Sequence, residues 1–259
     1  MIDLSINPQE TEQKIVSFIK KTVTQAGFKK VVVAVSGGID SAVSFALAVR
    51  ALGKENVYAL MLPYGKLNRE GIDDSELLIQ TLKIPVRNIK TINIETLVDA
   101  FSAVDKSLDD SRKGSMMTRV RMIVLFDKAK KERALVAGTE NKSEYLLGYF
   151  TRFGDAASDF EPLHFLYKTQ VRELANYLRI PDKIINKSPT AGLWAGQTDE
   201  GEMGFTYREA DQILNLFVDL KKREDQIEKE GFSKELVEKV LSQHKKTAFM
   251  REGPYLLNG

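Results

Sequence analysis

The sequence contains no cysteine. This absence excludes disulfides, thiolate metal sites and any thiol nucleophile. It also excludes one common source of ammonia, the release of ammonia from glutamine by a catalytic cysteine. An excess of charge of one sign is missing too: 38 Lys and Arg stand against 36 Asp and Glu, a net +2. Nucleic-acid binders that work by electrostatics carry a strong basic excess, so no nucleic-acid partner is expected. There is no apolar run long enough to cross a membrane. Residues 1–12 are polar and acidic, unlike a secretory signal, so the expectation is a cytoplasmic chain without a membrane partner. Two familiar phosphate-binding signatures are absent. No Gly-x-x-x-x-Gly-Lys-Ser/Thr occurs, and no Gly-x-Gly occurs anywhere. Internal repeats, low-complexity segments and a convincing linker are likewise missing.

What is present is ordinary in bulk and unusual in one place. The 259 residues are 43% apolar and 29% charged, enough for a full core and one α/β domain over 1–259. The chain centres on Val31-Val32-Val33-Ala34-Val35, then Ser36-Gly37-Gly38-Ile39-Asp40-Ser41, then an apolar run to Leu52. Five consecutive apolar residues suit a strand buried on both faces of a parallel sheet. The glycines permit a tight turn and close backbone approach to a ligand, and a helix begins at once. A helix N-terminus after a glycine turn is an anion site, because its first N–H groups lack partners and the dipole favours negative charge.

Along the chain, Pro8 to Ala26 reads as an amphipathic helix, and 57–62 as a second strand broken by Pro63-Tyr64-Gly65. Helical patterns follow at 73–83, 95–106 and 115–132, with a strand at 86–94. Ala134 to Ala137 is a short apolar strand ending at Gly138-Thr139, and 141–147 is a short helix. Strands alternating with helices to about residue 150 indicate an α/β fold with a doubly wound parallel sheet. In such sheets ligands bind at the carboxyl ends of strands, where Ser36 and Thr139 both fall. Residues 150–168 read as a functional loop, 169–179 as a helix, and Pro181 opens another short one. The segment 188–204 shows no period and has the length of a lid or a disordered loop. Further charged helices are expected at 207–222 and 233–242.

Ser36-Gly37-Gly38-Ile39-Asp40-Ser41 resembles the signature loop of the ATP pyrophosphatases, which cleave ATP to AMP and pyrophosphate. More of the chain resembles the NAD synthetases within that group. The matching stretches are Thr118-Arg119-Val120-Arg121-Met122, Gly138 to Glu144, Gly148 to Asp155, Tyr167 to Arg172, Ser188 to Glu200, and His244-Lys245. They run in family order from about residue 30 to about residue 250, which makes them more specific than any single motif. The resemblance implies a three-layer nucleotide-hydrolase-like fold with added C-terminal helices and no glutaminase domain. It implies that ATP, deamido-NAD and ammonia are converted to NAD, AMP and diphosphate with Mg2+, and the absence of cysteine fits the form that uses free ammonia. The family commonly forms homodimers, with deamido-NAD near the subunit boundary.

Residue by residue, the resemblance assigns ATP contacts to Ala34, Val35, Ser36, Gly37, Gly38, Ile39, Asp40, Ser41, Thr139, Lys168 and Thr190. It assigns Mg2+ to Asp40 and Glu144, and deamido-NAD to Arg119, Arg152, Asp159, His244 and Lys245. Each also has a plain reading. Asp40 and Thr139 would serve as helix caps, Glu144 and Lys168 as solvated surface residues, Arg119 as a helix-surface ion pair, and His244 as an ordinary helix histidine. Met61 falls where adenine would lie, or in the core; the single tryptophan, Trp194, is open. Two departures stand out. Arg152 replaces a common lysine, and Asp155-Ala156-Ala157 replaces Asp-Gly-Gly. The expected chemistry is attack of the nicotinate carboxylate on the α-phosphorus of ATP, then of ammonia on the acyl-adenylate. Asp40 and Lys168 would assist pyrophosphate departure, and Asp155 would deprotonate ammonium. Another ATP pyrophosphatase, or an ATP-binding module without catalysis, shares the glycine loop.

Overall fold

In the computed structural model, which describes residues 2–253 and 255–257, the valine run forms the centre of a parallel sheet. Its strands are β1 (Lys30–Ala34), β2 (Val57–Met61), β3 (Ile89–Thr91) and β4 (Ala134–Val136), in the order β3-β2-β1-β4. Val31 of β1 lies opposite Val57 of β2 and Leu135 of β4. Successive side chains leave a strand on opposite faces. Val31, Val33 and Val35 therefore enter one core layer and Val32 the other.

The first layer is covered by α1 (Pro8–Gln25), α2 (Ile39–Leu52) and α3 (Arg69–Thr81), and the second by α4 (Glu95–Ser102) and α5 (Asp110–Glu132). After β4 come α6 (Lys142–Leu147), α7 (Lys168–Leu178), α8 (Asp182–Ile185), α9 (Asp199–Met203), α10 (Tyr207–Leu214), α11 (Glu224–Glu228) and α12 (Lys234–Lys246). Of these, α7 and α8 complete the first layer, while α6, α10 and α12 enclose a separate apolar cluster with Leu147, Ile213 and Val240. The α/β architecture expected from the alternating pattern is the one observed.

The chain moves outward from β1 to β2 to β3 and then returns to the other side of β1 for β4. Strand order thus reverses between β1 and β4. Their carboxyl ends diverge into a crevice, where such sheets bind ligands. The loops leaving them are 35–38 and 137–141. Beyond β4, Ala137 forms a parallel bridge with Phe160, and Gly138 N–H donates to Phe160 O at 2.9 Å.

Several boundaries differ from the sequence pattern for local reasons. The strand expected over 86–94 is only Ile89–Thr91; Val86 to Asn88 make a 3-10 turn. There the buried Asn88 amide donates to the carbonyls of Lys54, Glu55 and Val57, while Val86 is 85% exposed. Helix α3 starts four residues early because the Asn68 side chain accepts the Gly71 N–H, and α5 starts at Asp110, capped by Asp109. The helix expected over 95–106 ends at Ser102. The one expected over 207–222 ends at Leu214, followed by a π-helical turn, Asn215–Asp219, and by α11. The last runs on to Lys246. Within 188–204, α9 forms where no period was legible.

Candidate active site

The loop after β1 is stitched by its own side chains. Ser36 N–H donates to Ser41 Oγ at 3.2 Å, the two hydroxyl oxygens lie 3.1 Å apart, and Ser41 Oγ donates to Gly38 O at 2.9 Å. The first intrahelical bond of α2 runs from Ala42 N–H to Gly38 O. The N–H groups of Ile39, Asp40 and Ser41 precede it, as an anion site requires. Gly37, at φ +79°, turns the chain against α3.

This loop opens on a cavity of about 240 Å³ at the β1/β4 switch point. Of the residues expected at ATP, Ala34, Ser36, Gly38, Ile39, Asp40, Ser41, Thr139, Lys168 and Thr190 line it. Val35 and Gly37 do not. Val35 has its backbone N–H on Leu60 O and its carbonyl on Ser75 Oγ, and its side chain lies in the core. Gly37 packs on Gly71. Met61 is likewise a core residue, 3% exposed.

Three chain segments converge on one ammonium group. Lys168 Nζ donates to Asp40 Oδ2 at 2.5 Å and to Glu144 Oε1 at 2.8 Å. Asp40 Oδ1 accepts from Asn141 Nδ2 at 2.8 Å, and Asn141 also caps α6 through Glu144 N–H. Lys168 opens α7, whose start is fixed from α10. There the fully buried Asp211 accepts the Thr169 N–H and hydroxyl and the Ser143 hydroxyl, while Lys168 N–H donates to Ser143 Oγ. Asp199, in α9, adds a further carboxylate to the cavity wall. It is 4% exposed, its Oδ2 accepts from Tyr207 at 3.1 Å, and its Oδ1 has no partner among the described residues.

Burial opposes the charge on Lys168, yet Asp40, Glu144 and Asp199 together hold its pKa above the ordinary lysine value. Burial, and then the charge of Asp40, pushes the Glu144 carboxyl well up. Three carboxylates around one ammonium leave a surplus of negative charge among largely buried side chains. Oxygen donors from two segments, already converging on one cation, fit a hard divalent ion that completes its shell with phosphate oxygens. No group of three or more His, Cys, Asp or Glu able to enclose a metal occurs among the described residues, so substrate would supply the remaining ligands.

The residues expected at the second substrate do not share one pocket within the chain. Arg119 is exposed on α5 and donates to Arg152 O at 3.4 Å; Arg152 donates to Glu252 O at 2.7 Å. Asp159 Oδ2 accepts the Val136 N–H at 2.7 Å, beside β4. His244 Nδ1 donates to Leu146 O at 2.7 Å, and Lys245 pairs with Glu224 at 2.7 Å. The second arginine of Arg119-Val120-Arg121 is the one that lines the cavity, and its Nε donates to Leu62 O at 3.1 Å. Sequence reasoning passed over Arg121, Glu140 and Asp199, although all lie inside quoted motifs. Asp155 lines the cavity too, and its Oδ1 accepts the Thr151 N–H at 2.6 Å. Trp194 has a packing role: it and Leu193 lie against Gly114 of α5, so close that a Cβ there would stand 3.0 Å from Leu193.

Beside β4, Glu161 Oε2 accepts the Glu140 N–H at 3.0 Å and Oε1 accepts the Ser158 hydroxyl at 2.7 Å. Burial, then Glu161, Glu144 and Asp155, pushes Glu140 up to about 9; burial raises Glu161 to about 7. Unfolded, both titrate near ~4.3. Above that pH the unfolded chain has released protons that the folded chain keeps, so stability falls as pH rises until the folded values are passed. The chain is expected to melt lower at pH 9 than at pH 6. Glu140→Gln is expected to raise the melting temperature at pH 8 by roughly 4–8 °C, for on the order of 2 kcal/mol. Calorimetric scans of both chains check this, and coincident pH profiles would contradict it.

Comparison with known proteins assigns the chain to one family. The NAD synthase family model matches residues 11–254. An NH(3)-dependent NAD(+) synthetase from Fusobacterium nucleatum is 43% identical over 99% of this chain and 98% of its own. Among solved structures, an NMN synthetase from Francisella tularensis superposes with a TM-score of 0.86 at 36% identity, covering 98% of this chain and 100% of that one. An NH3-dependent NAD synthetase from Campylobacter jejuni, in complex with nitrate, superposes with a TM-score of 0.83 at 31% identity over 98% and 100%. The chain belongs to the NAD synthase family, as an ammonia-dependent ligase that forms a carbon–nitrogen bond.

Proposed function

We propose that the cavity at the β1/β4 switch point carries out both half-reactions of this ligase: adenylation of the deamido-NAD carboxylate by ATP, then its amidation by ammonia. The observation that carries the reading is the convergence of Asp40, Glu144 and Lys168 beside the N–H groups of Ile39 to Ser41, which precede the first intrahelical bond. A carboxylate is a poor electrophile because its leaving oxygen would be oxide. Transfer of AMP to that oxygen makes it part of a good leaving group. The helix amides and the hydroxyls of Ser36 and Ser41 bind the departing pyrophosphate, and Lys168 stabilises its charge. Asp40 and Glu144 would hold Mg2+, which when bound neutralises phosphate charge. Thr139 and Thr190 face the same cavity from the 137–141 and 188–198 loops, orienting the nucleotide.

That loop is held by Thr190 Oγ1 on Gln197 O at 2.7 Å and Leu193 N–H on Gln197 Oε1 at 2.8 Å. Seated over the adenylate, it would exclude the water that otherwise hydrolyses it. The dispersal of Arg119, Arg152, Asp159, His244 and Lys245 supports a homodimer in which a second copy completes the deamido-NAD site. Among the described residues no helix is long and apolar enough to cross a membrane, which fits the expected cytoplasmic site of action.

The test is direct. Protein, ATP, Mg2+, deamido-NAD and ammonium are expected to give NAD, AMP and pyrophosphate in equal amounts. Formation of ADP would reject the chemistry. Because the Francisella neighbour is an NMN synthetase, NMN formation from the corresponding acid is measured alongside, and a preference for it would move the substrate assignment without moving the site.

A further inference from the structure

The phosphates of ATP carry more charge than the neutral donors of the Ser36–Ser41 loop can balance, and Lys168 already faces two carboxylates. A second ammonium group lines the same cavity. Lys187 lies between α8 and Thr190, its side chain 16% exposed, with Nζ 2.8 Å from Asp74 Oδ2 and 3.9 Å from Glu70. Asp74 is fully buried on α3, and its other oxygen stands 2.7 Å from Lys183 Nζ. One buried carboxylate thus faces two ammonium groups. Glu70 and Lys183, 62% and 51% exposed, are both weakened by solvent screening. Lys187 is the more buried of the two ammonium groups, and it lines the cavity while Asp74 holds it.

The position of Asp74 links this lysine to the phosphate loop. Helix α3 touches that loop through Gly71, whose carbonyl lies 2.2 Å from where a Gly37 Cβ would stand, and Ser75 Oγ donates to Val35 O at 3.1 Å. Asp74 falls between these two contacts, so the helix that supports the phosphate turn also holds Lys187, and both line one cavity.

We propose that Lys187 is a second cationic ligand for the outer phosphates of ATP and for the pyrophosphate product, and that Asp74 is the residue that positions it. The proposal rests on the cavity being the ATP site. Lys187 binds the β- and γ-phosphates by charge-assisted hydrogen bonds, and AMP, which lacks both, makes no use of it.

That difference separates binding from mere anchoring of the 188–198 loop. The full chain and its Lys187→Met and Lys187→Arg variants are titrated calorimetrically with magnesium pyrophosphate and, separately, with AMP. Lys187→Met is expected to weaken pyrophosphate binding and raise KM for ATP by roughly tenfold or more. AMP affinity stays within about twofold, and Lys187→Arg recovers most of the loss. Unchanged pyrophosphate affinity would overturn the proposal, and so would equal losses for pyrophosphate and AMP, which an anchoring role predicts. Should Lys187→Met fail to fold, the Asp74→Asn, Lys187→Met double variant leaves no carboxylate without its partner and carries the same expectation. Because binding needs no turnover, a failure of the amidation reading appears in the product assay and leaves this comparison legible.

Discussion

Exchange of Lys168 for Met is expected to slow amidation by about a thousandfold or more. In metal-free protein it is also expected to lower stability by roughly 3–5 kcal/mol. Among the described residues, the ammonium group is the only cation between Asp40 and Glu144, at 2.5 and 2.8 Å, in a site where the Lys168 side chain is 6% exposed. Without it two carboxylates face each other with Asp199 nearby, and each must shed water without compensation. The loss is smaller at lower pH, because burial and Asp40 already raise the Glu144 pKa, so a proton relieves the pair. Magnesium is expected to raise the melting temperature of Lys168→Met more than that of the unmodified chain, since it supplies the missing positive charge. Calorimetric scans with Mg2+ and with chelator read both effects. A variant that melts like its parent in chelator would show that the three groups are not energetically linked.

The second large effect is steric. Gly37→Ala places a Cβ 2.2 Å from Gly71 O, 2.7 Å from its Cα and 2.8 Å from its carbonyl carbon, at a residue with φ +79°. Every neighbour is backbone, so no rotamer change relieves the overlap. Either the phosphate turn or the start of α3 must move. The expected cost is at least ~3 kcal/mol, with loss of ATP-dependent turnover. Gly53→Ala separates overlap from backbone preference. Gly53 has φ +78° and ψ 146°, but nothing lies within 4 Å of its added Cβ, so only the backbone cost of ~1–3 kcal/mol applies. Urea denaturation of the two variants measures the difference, and equal midpoints would contradict the Gly37–Gly71 contact.

The parts legible in the sequence are those fixed by neighbours along the chain. Residues 31–35 announce a doubly buried strand because every position is apolar. Ser36-Gly37-Gly38 announces a turn, which forms with Gly37 at φ +79°, and the short helix expected over 141–147 is present as α6. The parts not legible depend on packing. Nothing local says that Asp211 of α10 fixes the start of α7, or that Asp74 of α3 reaches Lys187 across 113 positions. Arg119 and Arg121 look alike in the chain, yet the helix turns only Arg121 toward the cavity. Residues 86–88 read as strand, but the Asn88 amide donates to the carbonyls of Lys54, Glu55 and Val57, at and just before the start of β2.

The turn at residues 36–41 is proposed to grip the phosphates that ATP sheds, with Asp40 and Glu144 holding a metal beside them. The most direct measurement is a crystal structure of the chain with Mg2+ and a non-hydrolysable ATP analogue. The expected result is β- and γ-phosphate oxygens on the N–H groups of Ile39 to Ser41, the ion between the two carboxylates, and Lys168 Nζ within hydrogen-bond reach of a phosphate. Nucleotide bound elsewhere, with Asp40 and Glu144 still paired only to Lys168, would contradict it.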